Sequence, residues 1–236
     1  MITAVGVVVP AADEQATVGA CLDSVVVACA RLRTIAPCVD VRVVVVLDSC
    51  VDQTASIVAE HRGVRAVSCS VGRAGAARAI GAQVLLDEFA TSSDQLWLAN
   101  TDADSCVPAD WLTTHVDQAQ RGADLVLGTV LPDVGLSAAV ERAWHDNHRL
   151  HEDHPHVHGA NLGIKADAYL ALGGWPSLAT GEDVELAARA ESAGRLHIVR
   201  TARIPVRTSV RLTGRAPRGF ATYLRELTSV QGEIAV

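Results

Sequence analysis

The chain has 236 residues, enough for one large domain or two small ones, and 49% of them are hydrophobic while only 3% are aromatic, so its core must be built from Val, Leu, Ile and Ala. A formal net charge of −7 excludes a general nucleic-acid binder, which carries a basic footprint. The six cysteines, at 21, 29, 38, 50, 69 and 106, form neither a C-x-x-C pair nor a regular framework, which sets a reduced cytoplasmic location as the expectation. The N-terminus lacks a basic leader and no apolar run approaches the length of a membrane span, so the sequence reads as soluble.

Val5-Gly6-Val7-Val8-Val9-Pro10 is a β-branched run closed by proline, the pattern of a strand buried on both faces. Asp13 and Glu14 then open a helix with Val18, Leu22, Val25, Val26 and Cys29 on one stripe. A second buried strand, 41–47, ends in the polar turn Asp48-Ser49-Cys50-Val51-Asp52-Gln53-Thr54 and leads to a helix from Ala55 to His61. A short strand at 65–67 and the glycine-containing run Gly72 to Arg78 precede a helix reaching about Phe89.

The next strand, around Trp97, stops abruptly at Asp102-Ala103-Asp104. If extended geometry persists, period-2 alternation points both carboxylates the same way, a pair of hard oxygen ligands for Mg²⁺ or Mn²⁺ on a diphosphate. The alternative is a turn, where Asp and Ser cap and bend the backbone. Strands that alternate with helices at this spacing predict an α/β fold with a mostly parallel, Rossmann-like sheet and helices on both faces, binding ligands at the carboxyl ends of its strands. Three of those ends are acidic, at Asp13 and Glu14, Asp48 and Asp52, and Asp102 and Asp104, and such a rim asks for a cation or a donor-rich ligand.

Beyond a strand at 124–130, a helix is expected from Ser137 to about Leu150. A loop follows in which His145, His148, His151, His154, His156 and His158 gather six of the nine histidines. His148 and His151 share a face if the helix continues, and His156 and His158 share one if the loop is extended. Three readings stand for this cluster: a zinc site, a loop beside an acceptor pocket, or a contribution to a donor-bound metal. Gly181-Glu182-Asp183 starts a further helix, where its acids are either catalytic or simple N-terminal helix charges. Arg203, Arg207, Arg211, Arg215 and Arg218 form a basic C-terminal stretch, either a mobile loop clamping diphosphate or a solvated segment. With no repeat and no linker, residues 1–236 read as one domain of two halves, 1–106 and 107–236.

Taken together, these segments resemble the family 2 glycosyltransferases of the GT-A fold over about residues 4 to 195. Val7 to Glu14 is similar to that family's opening strand and P-x-x-N-E element, and Leu47 to Thr54 to its D-D-x-S-x-D-x-T turn. Gly75 to Arg78 resembles the G-x-x-x-A-R-N segment, and Asp102-Ala103-Asp104 stands where the D-x-D metal motif belongs. Gly159 through Trp175 resembles the acceptor-side segment, and Gly181-Glu182-Asp183 the E-D motif. The resemblance implies that Pro10, Glu14 and Asp48 line the nucleotide, that Arg78 approaches its phosphates, and that Asp102 and Asp104 hold Mn²⁺ or Mg²⁺. It also implies that Asp183 is the general base, supported by Glu182, in a transfer that inverts the anomeric carbon. A UDP- or GDP-linked donor and a hydroxyl acceptor, small or carrier-bound, follow from it.

The chain departs from the pattern at Ala11, Ala12, Leu47 and Ala79. It also lacks the Q-x-x-R-W motif of processive synthases. Those departures keep a non-catalytic nucleotide or sugar binder in play. A nucleotidyltransferase is disfavoured, because the first strand is not followed by a glycine-rich phosphate loop.

Overall fold

The computed structural model describes residues 1–148, 150–212 and 220–230. Its eight strands are β1 (Ala4–Ala11), β2 (Asp40–Asp48), β3 (Val64–Cys69), β4 (Leu96–Asn100), β5 (Ser105–Cys106), β6 (Leu125–Pro132), β7 (Leu162–Lys165) and β8 (Ile198–Thr208). They form one sheet in the order β3-β2-β1-β4-β7-β6-β8-β5. The β1, β2, β3 and β4 pairings are parallel, as is β6 with β8. Strand β7 enters antiparallel between β4 and β6, and β5 lies antiparallel on β8. The mostly parallel α/β sheet expected from the alternation, of the GT-A type that the resemblance implies, is therefore present, with antiparallel insertions confined to its second half.

Helices cover both faces because side chains on the central strands alternate between two apolar layers. Val5, Val7, Val9, Val43 and Val45 pack with Leu22, Val25 and Leu32 of α1 (Val18–Ile35) and with Leu112 and Val116 of α4 (Trp111–Gln120). Val8, Val44 and Val46 face the other way, onto Ala77, Ala82 and Leu85 of α3 (Ala74–Glu88) and Leu186 and Ala190 of α7 (Glu182–Ala193). Val26 does not belong to the buried stripe of α1; it is 41% exposed, and Ala28 takes the core position. The remaining helices are α2 (Thr54–Glu60), α5 (Ala138–Asn147), α6 (Ala166–Ala171) and α8 (Phe220–Val230).

Two readings of the second half need correction. Helix α5 stops at Asn147, so His148 and His151 do not share a helical face. Arg203 and Arg207 lie on β8, exposed between the buried Ile204, Val206 and Thr208, and of the described arginines in this stretch Arg211, beyond that strand, reaches inward. Arg215 and Arg218 fall outside the described residues. In the first half, the turn is the alternative realised at Asp102-Ala103-Asp104, where the Ser105 amide donates to the Asp102 carbonyl after β4.

One residue pins the sheet where β6 and β8 shift register, between Gly128 and Val130. The buried Asn161 side chain donates to the carbonyls of Thr129 (2.8 Å) and Ile204 (2.7 Å) and accepts from the Trp111 indole N–H (2.9 Å). A Cβ on Gly128 would collide with that amide, so glycine is what allows the approach.

Candidate active site

Pairing between β1 and β4 ends at Val8 and Asn100, and the chain segments that follow splay apart. Pro10 stands beyond that last pair, where a missing backbone donor is tolerated. The gap opens into a cavity of about 800 Å³ at the carboxyl ends of β1, β2 and β4. Pro10, Glu14, Asp48, Arg78, Asp102, Asp104, Glu182 and Asp183 all line it, so the site residues expected from sequence converge on one space.

Each is held in a definite way. Asp48, buried at the end of β2, accepts hydrogen bonds from the Val71 (2.8 Å) and Gly72 (3.1 Å) amides and so fixes the loop before α3. Leu47, where the family pattern has an acid, points into the core instead. Asp13 and Asp52, also counted in the acidic rim, have local structural work. Asp13 accepts from the Val51 amide at 2.8 Å, and Asp52 accepts from the Gln15 amide at 3.0 Å and the Thr54 amide at 2.9 Å.

Arg78 on α3 is 2% exposed and is ion-paired with Asp102 on one arm and Glu182 on the other. Its guanidinium also lies 5.2 Å from the centre of the Trp175 ring. Gly159 gives it room, since a Cβ there would stand 2.7 Å from Nη2 of Arg78. Arg211 makes the second cationic bridge, with Nη1 2.6 Å from Oε2 of Glu14 and Nη2 2.9 Å from Oδ2 of Asp104.

Asp104 is pushed up to about 6, first by burial and then by the neighbouring Asp102 charge, with Arg211 opposing. Two carboxylates close enough to raise one of them are a setting that added positive charge relieves. Among the described residues no group of three or more His, Cys, Asp or Glu converges as a closed metal cage. Asp102 and Asp104 nevertheless fit a Mg²⁺ or Mn²⁺ ion, which keeps several waters and is commonly held by one or two carboxylates plus substrate phosphates. The described histidines of the cluster are likewise not gathered as three or more potential metal ligands; their rings stack instead.

At the far side of the cavity, Asp183 accepts from the Gly159 amide (2.7 Å) through Oδ2 and from its neighbour Val184 (2.9 Å) through Oδ1. His148, Val157, His158, Phe220 and Tyr223 extend the lining away from it. The contribution of α8 was not read from sequence, although Phe220, Tyr223, Leu224 and Leu227 follow the i, i+3, i+4, i+7 spacing of an amphipathic helix.

Comparison with known proteins gives the family and agrees with the fold. The model of the family described as glycosyl transferase family 2 matches residues 6–169, and the chain belongs to that family. Among curated proteins no sequence matches it. Of solved structures, residues 1–349 of TarS from S. aureus superpose with a TM-score of 0.58 at 13% identity, over 87% of this chain and 60% of that one. Glucosyl-3-phosphoglycerate synthase from Mycobacterium tuberculosis, bound to Mn²⁺, UDP and glucosyl-3-phosphoglycerate, superposes with a TM-score of 0.53 at 19% identity, over 85% of this chain and 70% of that one. The same enzyme with Mn²⁺ and UDP-glucose gives 0.52 at 18% identity, over 98% of this chain and 77% of that one. The chain spans 60% of the shorter TarS structure and 39% of the longer one. No described helix is long and apolar enough to cross a membrane.

Proposed function

We propose that the protein transfers a sugar from a nucleotide diphosphate donor to a hydroxyl acceptor, with inversion and with a divalent cation. The observation that carries this reading is the convergence of Asp48, Asp102, Asp104 and Asp183 on one cavity at the strand ends. The M. tuberculosis enzyme, whose structures hold Mn²⁺ with UDP or UDP-glucose, supports a UDP-type donor ahead of a GDP-type one.

On this reading Pro10, Glu14 and Asp48 border the nucleoside, at the β1 and β2 ends that belong to the donor half, residues 1–106. Asp102 and Asp104 hold the cation, which when bound supplies positive charge against the leaving diphosphate. Arg78 keeps Asp102 and Glu182 in place from beneath, so that the carboxylates enter the reaction already oriented. Asp183 takes the proton from the acceptor hydroxyl, and its two amide bonds aim the carboxylate for that task. Residues 107–236 supply this acceptor side.

A non-catalytic binder on the same fold would occupy the donor site without consuming the donor. The test is to titrate UDP, GDP and their common sugar conjugates with and without Mn²⁺ by calorimetry, then to follow release of free sugar. Metal-dependent binding of one nucleotide, with slow donor hydrolysis lost in Asp183→Asn, is the expected result. Binding with no hydrolysis and no transfer to any alcohol would move the protein to the binder class, and no nucleotide binding would overturn the proposal.

A further inference from the structure

The two aspartates that face the cavity between β1 and β4 are carried by a short turn whose main chain is bonded from two sides. On one side stands α1, on the opposite face of the sheet from α3 and its Arg78. Cys21, fully buried on α1, directs Sγ to the Asp102 carbonyl at 3.3 Å. A carbonyl only accepts, so the thiol donates, and it shares this oxygen with the Ser105 amide at 3.0 Å. One helical turn on, the Ser24 hydroxyl accepts from the Val107 amide at 3.0 Å and donates to the Cys21 carbonyl at 2.7 Å. Ala103, between the two aspartates, is 2% exposed and packs in the same apolar layer as Cys21.

On the other side stands β8. Ser105 pairs with Thr208 in the β5–β8 ladder, and their hydroxyls are hydrogen-bonded to each other. The Ser209 amide donates to the Asp104 carbonyl at 3.0 Å. Both aspartate main-chain carbonyls are thus tied to the protein, while both residues line the cavity. The α1 side has no ladder; it rests on two side chains at i and i+3 of one helix face.

These ties differ in kind from the arginine pairs. Arg78 and Arg211 act on the carboxylates themselves, and their positive charge competes with that of a bound cation. Cys21 and Ser24 act on the main chain and are uncharged, so a cation at the carboxylates does not weaken their hold. Mg²⁺ demands near-ideal octahedral geometry, which makes the placement of its carboxylates a large part of its affinity.

We infer that Cys21 and Ser24 are positioning residues for the metal-holding turn: from the far face of the sheet they set where Asp102 and Asp104 stand, and through them the affinity for the divalent cation. This rests on the metal reading proposed above, but placement of the turn is measurable without any metal.

The experiment compares Cys21→Ala, Cys21→Ser and Ser24→Ala in the full chain with Cys29→Ala, which truncates a second buried cysteine of α1 in the same apolar layer. Two quantities are read: amide hydrogen exchange of residues 102–107 in the metal-free protein, and binding of Mn²⁺, alone and with UDP, by electron paramagnetic resonance. Thermal melting reports that each variant is folded. Cys21→Ala and Ser24→Ala should each speed exchange in that segment and weaken Mn²⁺ about 2- to 10-fold, the range for one lost hydrogen bond. Cys21→Ser keeps a donor and should restore both quantities toward those of the unmodified protein. Cys29→Ala should lower the melting temperature, as a core truncation does, and leave both quantities unchanged. Equal changes in Cys29→Ala and Cys21→Ala would mean general loosening and would overturn the assignment. So would unchanged exchange and Mn²⁺ affinity in Cys21→Ala and Ser24→Ala. If the unmodified protein binds no Mn²⁺ with or without UDP, the metal reading is overturned, and the exchange comparison decides the positioning role by itself.

Discussion

Arg211 grips Glu14 with both arms of its guanidinium, at 2.6 and 2.9 Å, across 197 positions of sequence. The same side chain reaches Asp104 at 2.9 Å, so one arginine from beyond the last strand bridges an acid that follows the first strand and another that follows the fourth. In the protein without ligands it supplies charge to the very carboxylate expected to meet a metal.

Removing it should therefore expose a competition. Arg211→Ala leaves Glu14 and Asp104 without this shared partner and should lower stability by about 1–2 kcal/mol, allowing for the partial exposure of the arginine. Mn²⁺ should then raise the melting temperature of the variant more than that of the unmodified protein. Equal melting temperatures for the two proteins without metal would show that the bridge is energetically idle.

Asp183 is expected to act on turnover and not on donor affinity. Asp183→Asn can still accept from the Gly159 amide, so the loop at 159 should hold its place, but the carboxamide cannot take a proton. Transfer should fall by about 10²- to 10⁴-fold, the usual contribution of a positioned base, with UDP affinity held. Undiminished turnover at saturating donor would remove Asp183 from the mechanism.

His115 makes a prediction about acid stability that is independent of function. It is fully buried between Trp97 (5.9 Å) and Trp111 (5.2 Å), with neither ring nitrogen hydrogen-bonded. Burial pushes it down to about 3 from the ordinary 6.5. The folded protein therefore refuses a proton that the unfolded chain accepts. The stability this neutral histidine contributes is complete above 6.5 and is lost as pH falls from there toward 3, with a slope of at most about 1.4 kcal/mol per pH unit. Denaturant unfolding of His115→Leu against the unmodified protein should show the gap between them shift in favour of leucine across that window. A pH-independent gap would contradict the assignment.

Asn161 tests the sheet itself. Asn161→Ala strands the carbonyls of Thr129 and Ile204 and the Trp111 indole, and it should cost about 3–5 kcal/mol, at the upper end for single substitutions. A loss below about 1 kcal/mol by chemical denaturation would mean that the register shift between β6 and β8 does not need it.

The first half of the chain was legible because its signals are local. The Val-rich runs at 5–9, broken only by Gly6, and at 43–46 have no other use than a strand buried on both faces, and the acids that close each run fall at strand ends by necessity. In the second half the signals are crossed. Arg203-Ile204-Pro205-Val206-Arg207-Thr208 alternates between exposed and more buried positions, yet its two arginines read as part of a basic loop or solvated segment. Helix α5 ends at Asn147, and the ring of His148 at its C-cap stacks on Trp144, a contact that no periodicity announces. The partners of Arg78 are equally hidden, since Glu182 lies 104 positions away and nothing in either segment names the other.

That last pairing has a bearing on how the protein comes into being. Arg78 belongs to α3, Asp102 to the turn after β4, and Glu182 to the start of α7. A chain emerging from the ribosome has the first two long before the third, and in that interval the guanidinium has only half its complement of negative charge. Sealing it in the protein interior is favourable only once residue 182 arrives, because an under-compensated ion resists leaving water. The cavity and the closure of the helical layer over it are thus completed by one and the same event, so a nascent or truncated chain that stops short of α7 should neither compact fully on that face nor capture ligand prematurely.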